Sequence, residues 1–315
     1  MPETKLPCKP AEYMQVKFNP GDHNKFCILS QSVLYSFSIH QAYDVTERGD
    51  QKILGESYRT NITEWRHDNQ DMMFCKFIWD PFSRVHIVTD QSCILMVHPK
   101  KGVLEHTHHL DGGVHAILLT QKHLIVSQDD GLLQWFKLDL PVILSSDKDN
   151  DTKHLTVENV VEMEWNLNRT IGETGDYEVV SHMHYSRDFR QLIIGTSTGM
   201  FGRLEIEAEA VNFEEDEEEA QQKQEKRVME NEFVELGRFH TEKITGIKEL
   251  GETTQLVTIS TDHYMTLWES TTQSPIASVY QPSYPTSLDV SSDGCAVFLG
   301  THLGAFRIYD VSNRR

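Results

Sequence analysis

The stretch 256–268, LVTISTDHYMTLW, decides how the rest of this sequence is interpreted. Apolar and hydroxyl residues alternate up to Ser260, three polar residues interrupt the pattern, and the alternation resumes up to Trp268. Two short alternating runs around a polar turn predict a β-hairpin. Three segments share this pattern and two earlier ones share it more weakly: LIVSQDDGLLQWF from Leu124, LIIGTSTGMFGRL from Leu192, VFLGTHLGAFRIY from Val297, FCILSQSVLYSFSI from Phe26 and VHIVTDQSCILMV from Val85.

The hairpin segments recur along the whole chain. The hydroxyl residue that ends the first strand of each hairpin is, in chain order, Ser30, Thr89, Ser127, Thr196, Ser260 and Thr301. The intervals are 59, 38, 69, 64 and 41 residues. The two shortest lie near the repeat length of a four-stranded propeller blade, about 40 to 45 residues. Polar insertions at 41–70, 145–159 and 205–232 account for the excess in the longer intervals.

Each hairpin has a further strand on either side. VKFNPGD and SLDVSSDG are examples of the preceding strand with its turn, and VVEMEW and FVELGRF are examples of the following strand. Four short strands per unit, without a long 3.6-residue apolar period, predict an all-β β-propeller of about six degenerate four-stranded blades. The predicted propeller spans 11–315, with blades at approximately 11–70, 71–110, 111–167, 177–240, 241–282 and 283–315.

The fifth unit resembles a WD repeat. His240 precedes its first strand, Ser260 ends the second, Asp262 lies in the turn and Trp268 lies in the third strand. The resemblance implies that Asp262 accepts a hydrogen bond from His240 and that His240 reaches the Ser260 hydroxyl. That hydroxyl would in turn bind the indole N–H of Trp268. Such a structural tetrad satisfies buried polar groups and holds the loops of a blade to its strands.

The third unit repeats part of the tetrad. Ser127, Asp129 and Trp135 have the same offsets of two and six residues as their counterparts in the fifth unit. The histidine is out of place, because His109 lies one residue too early relative to Val114. The remaining units depart further from the pattern, and we expect packing rather than the tetrad to hold the fourth and sixth. Their residues at these positions are Thr196, Thr198 and Leu204, and Thr301, Leu303 and Tyr309.

Over its whole length the chain resembles the propeller region of the cilia- and flagella-associated WD-repeat proteins. The resemblance rests on degenerate blades with NPGD-type turns, on the long polar insertions, and on the block 239–280 running into 284–310. It implies a scaffold of the ciliary or flagellar axoneme, near dynein arms or their tethers, with other axonemal subunits as partners and a cytoplasmic, cytoskeletal location. The alternatives are a generic cytosolic WD-repeat adaptor in another multiprotein complex and, less favoured, a propeller enzyme.

Composition excludes several other classes of function. The chain has 315 residues and a formal net charge of −19, which disfavours nucleic-acid binding because phosphate contacts need a basic surface. No apolar run approaches the roughly 18 residues of a membrane span, and the polar N-terminus lacks a secretory apolar region. The five cysteines are scattered and include no C-x-x-C pair, which indicates a reducing compartment. We therefore expect neither membrane nor nucleic acid among the partners.

The sequence contains no convincing catalytic or cofactor motif. It has no Gly-rich phosphate loop and no G-x-S-x-G nucleophile elbow. His106, His108 and His109, with His98 and His115 nearby, are the best metal candidates, since imidazole is a zinc ligand. No carboxylate or cysteine stands at a matching spacing, so we interpret these histidines as polar residues of an outer strand. The chain is predicted to be neither an enzyme nor a cofactor-binding protein.

The sixth unit is shorter than the others. It ends after its third strand at Val311, and WD propellers usually close by taking a strand from the opposite terminus. Pro2, Pro7 and Pro10 disfavour a ladder strand in the N-terminal segment. We therefore expect the chain to belong to a longer protein in which closure is completed outside it.

The segment 205–232 is predicted to be a flexible acidic insertion between the third and fourth strands of the fourth blade. Residues 205–235 hold 13 acids and three bases, and such a segment buries too little apolar surface to offset the entropy of ordering. The alternative is a docking strip for a basic partner. Replacement of 205–232 by a short Gly–Ser linker should leave the melting temperature nearly unchanged. A melting temperature lowered by many degrees would mean that the segment packs against the blades.

Overall fold

The computed structural model describes residues 13–48, 51–120, 123–139, 156–167, 169–171, 176–186, 191–206, 227–228, 233–251, 253–291 and 293–312. These residues form almost entirely β-strands. Helix within the described ranges is confined to one 3-10 turn, Asp129–Gly131. No described helix is long and apolar enough to span a membrane. The chain divides into two compact units, of which the first contains two sheets and the second contains the others.

The first unit consists of two four-stranded antiparallel sheets whose strands lie side by side in chain order. The first sheet contains β1 (Tyr13–Asn19), β2 (Asp22–Ser30), β3 (Val33–Arg48) and β4 (Gln51–Arg66). The second sheet contains β5 (Phe74–Trp79), β6 (Val85–Thr89), β7 (Cys93–His98) and β8 (Val103–His109).

The second unit begins with two sheets that carry additions. The third sheet contains β9 (Val114–Leu119), β10 (His123–Gln128), β11 (Leu132–Asp139) and β12 (Thr156–Asn166). A small hairpin follows, formed by β13 (Thr170–Ile171) and β14 (Asp176–Tyr177). The fourth sheet contains β15 (Val180–Tyr185), β16 (Gln191–Thr196), β17 (Phe201–Glu205) and β19 (Phe233–Gly237). Between its last two strands, β18 (Arg227–Val228) pairs in parallel with β12 of the third sheet.

The fifth and sixth sheets complete the second unit. The fifth contains β20 (Ile244–Glu249), β21 (Gln255–Ser260), β22 (Tyr264–Glu269) and β23 (Ser274–Tyr280). The sixth contains β24 (Pro285–Val290), β25 (Ala296–Thr301) and β26 (Phe306–Asp310). The sixth sheet thus has three strands within the described part of the chain, as the sequence pattern up to Val311 predicts.

The prediction that 41–70 is a polar insertion is wrong for most of that range. Strands β3 and β4 pair without interruption from Val33 with Arg66 to Arg48 with Gln51, so the segment extends a hairpin of the first sheet. Backbone pairing does not require apolar side chains, and polar composition therefore failed to distinguish a long hairpin from a loop. Trp65 near its end is buried and stacks on Phe74, with ring centroids 5.6 Å apart.

The other two insertions lie largely outside the described residues. Of 145–159, the described part, 156–159, belongs to β12. Of 205–232, the structure describes 205–206 and the strand β18. The insertion leaves the fourth sheet between its third and fourth strands, β17 and β19, at the position that the sequence predicts.

The core of each unit consists of inward-facing strand residues. In the first unit Trp79 is buried, and its indole N–H donates to the backbone carbonyl of Lys17 at 3.1 Å, which joins the second sheet to the first. In the second unit Phe201 packs edge-on against Trp268, with centroids 4.4 Å apart, and so joins the fourth sheet to the fifth.

Gly199, in the turn before β17, is required by its surroundings. Its φ is +87°, and a Cβ at this position would lie 2.2 Å from the carbonyl oxygen of His240. Gly199→Ala should lower the free energy of unfolding by at least about 2 kcal/mol, since strain and overlap with backbone act together. Gly304, with φ +79° and no atom within 4 Å, is the matched control. Its alanine variant should cost about 1 kcal/mol from backbone strain alone. Equal losses in chemical denaturation would contradict the assigned overlap.

Candidate functional site: the buried hydrogen-bond network of the fifth sheet

A buried hydroxyl ends the second strand of each of the six main sheets. In four sheets it bonds the backbone of the turn that follows, as Thr89 does with the N–H and carbonyl of Cys93, each at 3.2 Å. Ser30, Thr196 and Thr301 bond their own turns in the same way. Ser260 accepts the N–H of Asp262 in its own turn and donates to the carbonyl of Glu242, which precedes it in the chain. Ser127 instead donates to the carbonyl of Val180, further along the chain. In five of the six sheets the hydroxyl therefore satisfies backbone groups of the turn that follows.

The fifth sheet carries a chain of side-chain hydrogen bonds that ends on a carboxylate. The indole N–H of Trp268 donates to Oγ1 of Thr258 at 2.8 Å. Oγ1 of Thr258 lies 2.8 Å from Nε2 of His240. Nδ1 of His240 lies 3.0 Å from Oδ2 of Asp262, whose oxygens also accept the backbone N–H groups of Thr241 and Tyr264. The network thus links four side chains, which come from β21, from β22, from the turn between these strands and from the loop before β20.

The prediction that Ser260 supplies the hydroxyl of this network is wrong. Trp268 pairs across the hairpin with Leu256. Thr258 is two residues further along the same strand face, about 7 Å away, whereas Ser260 is four residues further, about 13 Å away. The indole therefore reaches Thr258. Ser260 instead donates to the carbonyl of Glu242 at 2.9 Å and accepts the N–H of Asp262 at 3.2 Å.

The carboxylate of Asp262 sets the direction of every bond in the chain. A carboxylate can only accept, so Nδ1 of His240 carries a proton and donates it. Nε2 then accepts the Thr258 O–H, whose oxygen accepts the indole N–H of Trp268. Burial lowers the pKa of His240 below its ordinary value of 6.5, although Asp262 offsets part of this shift. The neutral imidazole that results matches this sequence of donors and acceptors.

The third sheet contains an incomplete version of the same arrangement. Asp129 accepts from Nε2 of His115 at 2.8 Å, so the histidine that contacts it is His115 and not His109. Ile125 occupies the position that Thr258 has in the fifth sheet. Trp135 is fully buried, and its indole N–H has no hydrogen-bond partner among the described residues. Ser127 is close in sequence but bonds the carbonyl of Val180 at 2.7 Å.

Polar networks also occur in the two sheets for which we expected packing rather than the tetrad. In the fourth sheet the buried carboxylate of Glu178 accepts the hydroxyls of Thr196 and Thr198. In the sixth, Tyr309 donates to Oε1 of Gln281 at 2.8 Å. These partners come from outside the hairpins and add side-chain hydrogen bonds that are not those of the tetrad. The hairpin pattern carries no signal for Glu178 or Gln281.

The second sheet has a network that the sequence pattern did not reveal. Buried Asp80 lies 3.1 Å from Nε2 of His86 and accepts the backbone N–H of Arg84 at 2.8 Å. The guanidinium of Arg84 donates to Glu105 at 2.8 Å. The buried charges are therefore paired, as burial requires. The Asp-Pro turn at 80–81 was the available signal for this site.

The histidines of the HTHH run lie on β8, the outer strand of the second sheet. His108 is buried, His106 is half-buried, and Nδ1 of His109 lies 3.1 Å from the Sγ of Cys93. His115 lies on β9 and belongs to the third sheet. Within the described ranges, no three His, Cys, Asp or Glu side chains are grouped so that they could hold a metal ion.

His240, Asp262 and Thr258 have the residue types of a nucleophilic triad, but their surroundings prevent that chemistry. Thr258 is completely buried, and its oxygen already accepts the indole N–H of Trp268. A catalytic hydroxyl must reach a substrate and an oxyanion site. The thiol of Cys27 is no better a nucleophile, because burial raises its pKa to about 12. The hydrogen bonds of His240 therefore hold the loop before β20 to the strands of the fifth sheet.

Thr258→Val should identify the centre of the network. The change keeps the shape of the side chain but removes the partner of two buried groups, the indole N–H of Trp268 and Nε2 of His240. We expect the free energy of unfolding to fall by about 2 to 4 kcal/mol. Ser260→Ala should cost only about 1 kcal/mol, because water can reach the turn groups that it frees. If urea denaturation shows a larger loss of unfolding free energy for Ser260→Ala than for Thr258→Val, then Ser260 and not Thr258 is the central hydroxyl of the network.

The stability of the fifth sheet should depend on the protonation of His240. Its folded-state pKa is lowered, so the unfolded chain binds more protons as the pH falls. His240 therefore contributes stability above its unfolded pKa of about 6.5 and loses that contribution below it. Between about pH 8 and pH 5.5 the melting temperature of His240→Gln should fall less than that of the wild type. Parallel curves for the two proteins would show that His240 titrates normally.

Comparison with known proteins supports the fold. No protein-family model matches the chain, and no curated protein sequence matches it. A chain of the structure titled "Crystal Structure of Mitotic Checkpoint Complex" is 11% identical, with a TM-score of 0.56, over 98% of this chain and 84% of that one. The C-terminal WD40 domain of Sif2 is 11% identical, with a TM-score of 0.57, over 95% of this chain and 82% of that domain. With the repeated sheets described above, these similarities show that the chain has an all-β, WD40-type β-propeller fold.

Proposed function

We propose that this protein is a non-catalytic protein-interaction scaffold and a structural or regulatory component of the ciliary or flagellar axoneme, associated with a dynein arm or its tether. The observation that carries the scaffold part is the closed network of the fifth sheet. Its one constellation of catalytic residue types, His240, Asp262 and Thr258, is sealed by the indole of Trp268. These residues stabilise the blade and leave its surface loops available for partners.

An exposed apolar face on the sixth sheet supports a role in binding proteins. Phe306 and Ile308 on β26 are 66% and 61% exposed. They pair with Gly300 and Phe298 on β25, so these positions share one face. Phe298 and Phe306 stack with centroids 6.2 Å apart. Contiguous exposed apolar surface of this kind typically marks an interaction site.

The axonemal part of the proposal is supported by the sequence resemblance. The degenerate blades and the continuous block 239–310 resemble the cilia- and flagella-associated group, and the described residues of that block form the fifth and sixth sheets. One structure of similar fold is titled as a multiprotein complex. A propeller whose buried polar residues are structural is consistent with a protein that works as part of an assembly.

Localisation in a ciliated cell tests the axonemal part. The tagged protein should be found along the axoneme after detergent extraction and should co-purify with dynein-arm or tether subunits. The tag alone is the control. A diffuse cytosolic protein that co-purifies with ubiquitin-ligase or trafficking subunits would support the adaptor alternative and overturn the axonemal assignment.

A hydrolase assay tests the non-catalytic part. The purified chain should not turn over activated ester substrates. Thr258→Ser keeps the hydroxyl and Thr258→Val removes it, so the pair forms a matched control. Turnover that survives in Thr258→Ser and disappears in folded Thr258→Val would mean that the network is a catalytic triad.

A further inference from the structure

A small cavity of about 40 Å³ lies between side chains of the fourth and fifth sheets, both of which belong to the second unit. Its apolar wall consists of Ile193 on β16, Leu236 on β19 and Leu256 on β21. These three side chains are buried and pack in one core cluster. Because close-packed core side chains move little, the shape of this wall is fixed by the fold.

Three hydrogen-bonding side chains of the cavity lack partners within the described ranges. Nε of Arg203, on β17, is buried and makes no hydrogen bond there. The side-chain amide of Gln191 and the hydroxyl of Ser270 also line the cavity and form no hydrogen bond with another described residue. A cationic N–H that is buried without an acceptor costs free energy. Since a guanidinium can only donate, the complementary ligand is an acceptor with negative charge.

The acidic residues beside the cavity have partners in the fold. Oε2 of Glu249, which lines the cavity, lies 3.8 Å from Nε2 of His184. Oε1 of Glu269 accepts the hydroxyl of Thr254, another lining residue, at 2.5 Å. Neither carboxylate forms an ion pair with Arg203 in the part of the chain that the structure describes. The guanidinium therefore stays without a counter-ion, while the two acids repel a ligand that carries more than one negative charge.

We propose that this cavity binds a single carboxylate group through Arg203, Gln191 and Ser270. A bound water needs roughly 10 to 15 Å³ of such space, so a cavity of about 40 Å³ fits the three heavy atoms of a carboxylate better than the five of a phosphate. The planar guanidinium donates two parallel hydrogen bonds to a carboxylate, and the amide and the hydroxyl supply further donors. A carboxylate is also a monoanion, which the neighbouring acids repel least.

Two sources present this group: an Asp or Glu side chain of a partner protein and a free small carboxylic acid. The first source rests on the proposed scaffold function, and the second is independent of it. Acetate is the probe for the free acid, and the capped peptide acetyl-Gly-Glu-Gly-amide is the probe for the side chain. Acetamide and acetyl-Gly-Gln-Gly-amide are their uncharged counterparts.

Nuclear magnetic resonance titration of the isotopically labelled chain at constant ionic strength tests the proposal. The Nε–H signal of Arg203 and the side-chain amide signal of Gln191 should shift saturably with acetate or with the Glu peptide. The uncharged counterparts should shift neither signal. A Glu peptide that binds at least about tenfold more tightly than acetate assigns the group to a partner protein. Equal or tighter binding of acetate assigns it to a small acid.

Arg203→Gln should weaken binding of the charged probes by at least about tenfold, because it removes charge-assisted hydrogen bonds. The side-chain amide signal of Gln191 reports binding in this variant. Arg203→Lys keeps the charge without the planar fork, so its affinity should fall between those of Arg203→Gln and the wild type. Arg66→Gln is the matched control, because Arg66 lies outside the cavity and pairs with Glu64. Melting temperatures equal to that of the wild type would show that the variants are folded.

Three results would overturn the proposal: no saturable shift with either charged probe, equal affinities for the wild type and folded Arg203→Gln, or inorganic phosphate that binds as tightly as acetate. A chain that localises to the axoneme yet binds neither charged probe would refute the carboxylate site and leave the axonemal function standing. A chain that binds the Glu peptide but is diffuse in the cytosol would support the site and overturn the axonemal assignment.

Discussion

A buried hydroxyl at the end of the second strand binds backbone groups in every main sheet of this protein, and in five of the six it binds the tight turn that follows. The side chain is Ser in three sheets and Thr in three. Thr196 and Thr301 bond the turn directly, whereas Ser127 and Ser260 reach carbonyls outside it. A buried N–H or carbonyl without a partner would cost about 1 to 3 kcal/mol. Because of that free-energy cost, Ser or Thr recurs at this position.

The remaining polar residues differ from sheet to sheet. The fifth has a complete chain from Trp268 to Asp262, and the fourth uses the carboxylate of Glu178. The third retains a tryptophan, Trp135, whose indole N–H lacks a partner within the described residues because Ile125 replaces the hydroxyl. The blades therefore share a backbone pattern more closely than they share a set of side chains, which accounts for their degenerate sequences.

The distribution of polar chemistry bears directly on function. The hydroxyl and imidazole of the network in the fifth sheet, those of Thr258 and His240, are buried and bonded to each other, and so they serve stability. The surface near the fifth and sixth sheets instead presents aromatic and aliphatic side chains such as Tyr280 and Phe306. Aromatic residues are enriched at protein interfaces because they bury a large area at a small entropic cost. A scaffold is the function for which this distribution is suited.

The sequence by itself determined the hairpins, their hydroxyl ends and the WD-like unit around Asp262 and Trp268, because alternation and turn chemistry are local. It misjudged the polar segment 41–66, since polar composition does not prevent two strands from pairing through their backbones. The choice between Thr258 and Ser260, which lie on one strand face, required the register that pairs Trp268 with Leu256. Glu178 and Gln281 required the tertiary structure altogether. They lie outside the hairpins they serve, and only the folding of the chain brings the donors and acceptors together.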